Sequence, residues 1–435
     1  MNQTCMNTQT DQMEQIKAVL KELEIDLYSI TEVKKEAVEL YFIKKALDMR
    51  RYNDVTDTNI TVYRDFEKNG KKMRGSSTTL LYNTMNYEEM KAAISAAYYA
   101  ASFVCNPYYE IPSGSPEACV TIPSKLMEQS LEESALQLAQ ALYEPDTLND
   151  VFINSAEFFS RKSTVRIVSS QGIDVSYVKA SISGEFVAQC ISPADVETYK
   201  SFHYNDLELD AMKALATDAL DLTKSRAIAT AAPKTGKYHV ILSDQQVETM
   251  LSYYVEHSYS DYIYPGYSNY KVGTKVQGEE VTGELLNIDL KATEPYSSEG
   301  IPMTDRPLIT DGTLNVIQGN SRFAYYLGIP AIGHYETLHV KNGTVSIEEM
   351  KKDNYLHIVN FSDFQMDSLS GDFGGEIRLA FLFDGKTVTP VTGGSISGNI
   401  TNYHDKLIFS KERQVRAEFD GPLAMLLKDI QVSGC

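Results

Sequence analysis

Metal, acid–base or nucleophilic chemistry needs imidazole, carboxylate or thiolate groups at spacings that a fold can bring together. Seven histidines are present, and none is followed by glutamate. Glu256-His257 closes a helical stretch. It is either a displaced base and ligand or a solvated helix C-terminus, where a histidine cation favours the helix dipole. His334-Tyr335-Glu336 with His339 is the only other concentration of ligand-type side chains. On a strand, His334 and Glu336 share one face and His339 takes the other, as metal ligands or as an exposed strand edge. Tyr253, Tyr254, Tyr259, Tyr262, Tyr264, Tyr267 and Tyr270 crowd one stretch, interleaved with Ser, Asp, Asn and Gly. Tyrosine supplies contact area at low entropic cost and a hydroxyl besides. The stretch is therefore a wall of a peptide cleft, a subunit interface or ordinary packing. Ser370–Gly375 is dense in glycine, but it has no Walker lysine and leads into a strand. Close approach between strands explains it better than a phosphate loop.

The elements that must position these groups are partly visible. Val240–Leu242 is a short apolar run of the buried-strand type. Ser243 begins S-x-x-Q with Gln246, the pattern of a capping box. Val247, Met250, Leu251, Tyr254 and Val255 then recur at helical spacing. Upstream, EQIKAVLKELE places Ile16, Val19, Leu20 and Leu23 on one helical face. Glu36–Met49 has mixed period, with a strand at Ala37–Ile43. NITVYRDF and SSTTLLYNT read as paired strands turning at Asn69-Gly70, followed by a helix over Tyr87–Val104. Asn106–Ser124, with four prolines, is a loop. Leu131–Tyr143 is helical. Val151–Ser155, Ser160–Ser169 and Ile173–Val178 are strands with a turn at Gln171-Gly172, and Gly184–Ser192 adds another. Leu207–Lys224 is an amphipathic helix. The second half is β-rich, with short elements at Gly278–Leu290, Pro307–Gln318, Tyr335–Val340 and Ser346–Glu349, and a hairpin around Asp384-Gly385. This is an α+β fold: an N-terminal α/β layer domain with a mixed or antiparallel sheet and packed helices over 1–230, then a β-rich C-terminal domain over 231–435.

Composition narrows the function. The 435 residues are 43% hydrophobic and 23% charged, as in ordinary globular proteins. No run approaches the ~18 apolar residues of a membrane span. The start, MNQTCMNTQTDQMEQ, has neither the basic nor the apolar region of a signal peptide, so cytoplasm is expected. Five scattered cysteines without a C-x-x-C pair indicate no disulfide framework and no structural zinc; most are expected to be buried small hydrophobes. The net charge of −19 repels phosphate backbones and argues against nucleic acid. A peptide or protein partner carrying basic groups is easier to accommodate.

Three stretches of the second half, TGKYHVIL at 235–242, SSEGIPMTDRPLITDGTLNVIQGNSRFAYYL at 297–327 and SLSGDFGGEIRLAFLFDGKTVTPVTGGSISGN at 368–399, resemble the TldD/TldE (PmbA) family of peptide-processing proteins. The likeness extends more loosely upstream to about residue 55. It implies that a TldD-type member carries H-E-x-x-x-H on the helix after the central strand, where two histidines and a later cysteine hold a metal and the glutamate polarises water. Here that helix reads VETMLSYYVEH, and Phe419-Asp420-Gly421 stands where the cysteine would. The chain thus resembles the TldE-type partner, which lacks the motif, so no metal is expected in it. By the same resemblance Ser297–Pro302 lies beside the cavity, where Glu299 is either a carboxylate for a peptide amino group or part of a plain turn.

These readings lead to a dimeric, cytoplasmic protein, paired with itself or with a TldD-type partner that supplies zinc or another divalent metal. In it this chain completes a cleft for peptides or unfolded protein, with Tyr253, Tyr254, Tyr259, Tyr262, Tyr264 and Glu299 as candidate binding groups. Two alternatives belong to other classes: a self-sufficient peptidase using His334, Glu336 and His339, and a peptide-binding module without catalysis.

Overall fold

The computed structural model describes residues 10–114, 116 and 119–434. The first sheet contains β1 (Tyr28–Ile43), β2 (Ala46–Lys68), β3 (Lys71–Tyr82), β4 (Asn106–Pro107), β5 (Val120–Thr121), β6 (Val151–Ser169), β7 (Asp174–Cys190) and β8 (Val196–Tyr204). They pair in the order β4-β3-β2-β1-β6-β7-β5, with β8 also on β7. Helices α1 (Thr10–Glu22), α2 (Tyr87–Ala101), α3 (Leu131–Tyr143) and α4 (Leu209–Ile228) complete this half.

Strand alternation divides the sheet into two faces. Ile30, Val38, Leu40 and Phe42, even-numbered residues toward the two ends of β1, are buried in the cores shared with the helices, while Lys34 and Glu36 between them pair at 3.4 Å. Thr31, Val33, Lys35, Ala37 and Glu39, the odd positions, line a large cavity. Gly184 on β7 lets the helix-side layers close. A Cβ there would run into the Glu157 carbonyl oxygen and stand 2.6 Å from Phe202 Cζ. Gly184→Ala is expected to cost on the order of 2–3 kcal/mol, read from a urea denaturation midpoint.

The second half holds two more sheets. In chain order it runs β9 (Gly236–Ser243), α5 (Gln245–Glu256), α6 (Ser260–Ile263), β10 (Ile288–Lys291), β11 (Arg306–Thr310), β12 (Thr313–Leu314) and α7 (Ser321–Leu327). It continues through β13 (Thr337–Val340), α8 (Ile347–Met350), β14 (Tyr355–Met366), β15 (Asp372–Phe383), β16 (Val388–Val391), β17 (Ser395–Asn399) and β18 (Ile408–Phe409). Last come β19 (Arg413–Val415), β20 (Phe419–Pro422) and β21 (Ala424–Ser433). One sheet orders β12-β11-β10-β13-β20-β19. The other runs β14-β9-β21-β17-β15-β16, and β14 also pairs with β15, so five strands close on themselves. The glycines near 371–375 serve that closure, because a Cβ on Gly375 would stand 2.7 Å from the Asp363 carbonyl oxygen.

The fold is α+β, with several elements longer than sequence patterning indicated. β1 begins nine residues before Ala37, and β2 begins at Ala46 rather than in NITVYRDF. The separate strands expected over 151–169 are one strand, as are those over 173–192. The S-x-x-Q pattern is not a cap. Ser243 ends β9 and shares a 2.6 Å hydrogen bond with His357 Nε2, while Asp244 occupies the N-cap with φ 58° and no side-chain capping bond. Cys105 and Cys119 are exposed and only Cys190 is buried, which corrects the expectation of buried cysteines; Cys5 and Cys435 lie outside the described residues. Among the described residues no helix is long and apolar enough to cross a membrane.

Candidate functional site

The cavity-lining face of the first sheet is covered by the loops 291–303 and 334–337 and by Glu418 beside β20. Between them lies a cleft of about 1380 Å³. That exceeds the roughly 300–1,000 Å³ of pockets for small molecules. Its floor carries Arg161 from β6, Tyr177 and Lys179 from β7, and His203 from β8; its walls carry Glu294, Tyr296, His334, Glu336 and Glu418.

The electrostatics of the cleft follow from these neighbours. Glu294 accepts a 2.5 Å hydrogen bond from Tyr177 Oη and pairs with the Lys179 ammonium. Burial, with the Glu294 carboxylate next, holds the Tyr177 phenol well above its usual range. His203 Nδ1 lies 3.8 Å from Glu418. Burial depresses its imidazole, and the Glu418 charge works against that. His334 stands edge-on to the Tyr259 ring at 4.9 Å. Burial pushes the Tyr259 phenol up to about 12.

The structure scatters the sequence-derived candidates. His334 and Glu336 share the cleft, but His339 bonds Asp420 at 3.1 Å and does not line it. Glu256 accepts from Tyr262 at 2.9 Å and from Ser368 at 2.5 Å. His257 is not a solvated terminus. It is 6% exposed, its ring 4.2 Å from that of Tyr253 and 5.2 Å from that of Tyr270. Burial depresses its imidazole; the Ser368 and Leu369 backbone nearby offsets this in part, though neither ring nitrogen has a well-formed hydrogen bond. Tyr254 is fully buried and Tyr253 nearly so, Tyr259 and Tyr262 are half-buried, and Tyr264 is exposed. None of these five lines the cleft. Tyr264 instead stacks on Tyr326 of α7 at 4.8 Å. Glu299 accepts from the Ser321 amide at 2.8 Å and its hydroxyl at 2.6 Å, fixing the start of α7.

Sequence reasoning missed Arg161, Lys179, His203, Glu294 and Glu418. His203 was concealed because β8 was. In VETYKSFHY the buried face is Thr198, Phe202 and Tyr204, interrupted by Lys200, and the other face is Tyr199, Ser201 and His203. Alternation of that sort is legible only once Lys200 is seen to pair with Asp218 and Asp244, each at 3.3 Å.

A catalytic zinc needs about three protein ligands and an open position. A histidine pair spaced as in H-E-x-x-x-H and ending at His257 would place its first member at Ser252, whose hydroxyl donates to the Thr249 carbonyl. The buried face of α5 is Val247, Met250, Leu251 and Tyr254. Among the described residues no three His, Cys, Asp or Glu side chains converge as a metal site. This donor set does not fit a catalytic metal.

Residues 235–434 match the family described as the PmbA/TldA metallopeptidase C-terminal domain. No curated protein matches the sequence. The fold is similar to TldE from Thermococcus kodakarensis, with a TM-score of 0.77 at 16% identity over 97% of this chain and 100% of that one. It is similar also to a putative modulator of a DNA gyrase from Thermotoga maritima, with a TM-score of 0.76 at 16% identity over 98% and 100%. A third relative in fold is a putative modulator of DNA gyrase from Bacteroides thetaiotaomicron, at 0.73 and 15% over 98% and 99%. Identities this low speak for the fold, while the matched domain carries the family. Residues 235–434, a little under half of the chain, thus carry the C-terminal domain of the PmbA/TldA metallopeptidase family.

Proposed function

We propose that this chain is a TldE-like, non-catalytic subunit of a peptide-processing complex, and that it shapes the cleft in which peptide or unfolded protein is held. The observation that carries this reading is the separation of two features. The cleft is larger than a small-molecule pocket, while the helix after the central strand turns aliphatic and phenolic side chains inward where a metallopeptidase needs imidazoles. In this reading zinc or another divalent metal belongs to a TldD-type partner, and a homodimer would bind without cutting. The chain works in the cytoplasm on polypeptide, and its net charge of −19 favours basic ligands over nucleic acid.

The test mixes the purified full chain, with and without a chain bearing H-E-x-x-x-H, with an unstructured peptide and zinc. Hydrolysis is expected only in the mixture, with metal analysis placing the ion in the partner. Chelator-sensitive hydrolysis by this chain alone, or one tightly bound metal per isolated chain, would overturn the assignment.

A further inference from the structure

Most charged side chains of the cleft are already answered within it. Glu294 is taken by Tyr177 and Lys179, Lys35 by Asp57 at 2.9 Å, and Lys291 by Asp305 at 2.8 Å. Glu39 accepts from Tyr41 at 2.9 Å and from Asn53 at 2.8 Å. Glu418 meets only the His203 imidazole, at 3.8 Å. Two further side chains have no polar partner among the described residues. Glu336 is exposed on the wall, with no hydrogen bond or ion pair among the described residues. Arg161 is exposed on the floor, with no anionic partner among the described residues and its guanidinium 5.6 Å from the Phe159 ring centroid. Both line the same cleft as His203.

On open surface such groups would need no explanation, because water serves them well. Inside a walled hollow, unpaired charges of opposite sign face a field that the protein focuses. A guanidinium left free there offers a fork of donors that matches a carboxylate. We infer that the cleft selects its ligand by charge: Glu336 takes a cationic group of the bound peptide, and Arg161 takes an anionic one. The inference rests on the peptide-cleft reading above.

Isothermal titration of the full chain with four decapeptides of Ala, Ser and Gly tests it, at 150 mM salt. Three have blocked termini and carry two lysines, two glutamates or neither; the fourth is the neutral sequence with a free N-terminus. The lysine and glutamate peptides should each bind about tenfold tighter than the blocked neutral one, a difference of about 1.4 kcal/mol. Glu336→Gln should abolish the lysine advantage and leave the glutamate advantage, and Arg161→Gln should do the reverse. A mere change in net charge would instead move both preferences in each variant, in opposite senses. Glu336→Lys, a second variant at the same site, should turn the lysine advantage into a penalty. A free N-terminus that matches the lysine peptide, and loses its gain in Glu336→Gln, identifies the cation as the terminal ammonium. Peptides that bind alike whatever their charge, or preferences that survive both variants, overturn the inference and leave the peptide cleft standing. Absence of binding by all four removes the peptide reading itself.

Discussion

Asp65→Ala should lower stability by about 3 kcal/mol, the low end of the cost of stranding a buried ion. Arg74 is only 4% exposed. Its Nε and Nη2 donate to the two Asp65 oxygens at 2.7 and 2.9 Å, and its Nη1 donates to the Tyr109 carbonyl at 2.6 Å. Deleting the carboxylate leaves a guanidinium without its counter-charge, with the Tyr109 carbonyl as its remaining hydrogen-bond partner. Asp65 is itself partly exposed, which is why the low end applies. The double variant Asp65→Ala/Arg74→Met should recover most of the loss, since an apolar side chain of similar length has no charge to strand. Urea denaturation of wild type, single and double variants measures both effects. A single variant within about 1 kcal/mol of wild type would show that the pair does not matter. The pair also acts at a distance from the sheet. Tyr108 and Tyr109, on the loop Arg74 holds, meet Tyr325 and Tyr326 of α7 edge-on at 6.2 and 6.0 Å. The variant should therefore loosen the join between the first sheet and the half that walls the cleft.

Acid should destabilise the protein through His357 from about pH 6.5 downward. Burial depresses this imidazole from 6.5 to about 4, with the Lys351 charge acting in the same direction. In the folded chain the ring stays neutral beside Ser243; in the unfolded chain it takes a proton near pH 6.5. The stability that comes from keeping it neutral is complete above pH 6.5 and is lost as pH falls toward 4. It should fall by about 1.4 kcal/mol per pH unit, roughly 3 kcal/mol across the window. His357→Gln keeps a hydrogen-bonding group for Ser243 and removes the titration. The stability difference between wild type and His357→Gln should therefore shrink or reverse from pH 7 to pH 4.5. Parallel curves for the two proteins would rule His357 out as the cause.

Strong local signals in the sequence translated directly into structure. Asn69-Gly70 makes its two-residue turn with φ of 54° and 71°, and Asp384-Gly385 turns the β15–β16 hairpin. The apolar run before α5 is a central buried strand, as its composition requires. Long strands were underestimated because polar residues interrupt them. Positions 46–55 of β2 are exposed on both faces, so no alternation marks them as strand. The site was the least legible part. Its floor residues, Arg161, Lys179 and His203, come from three strands and meet only through sheet pairing, which places Arg161 opposite Ser181 and Ser183 opposite His203. No spacing along the chain encodes that arrangement. The tyrosine-rich stretch drew attention by density alone, and density does not say which side of an element faces the hollow.

The alternation along β1 has an evolutionary corollary. Because Val38 and Leu40 serve the hydrophobic interior while Ala37 and Glu39 beside them line the cleft, substitution at Glu39 can retune selectivity while the packing on the other face is left intact. Insertion or deletion of one residue would exchange the two sets wholesale. Descendants of this chain are thus free to diversify what they hold by point replacement, but hardly at all by changes of length in that strand.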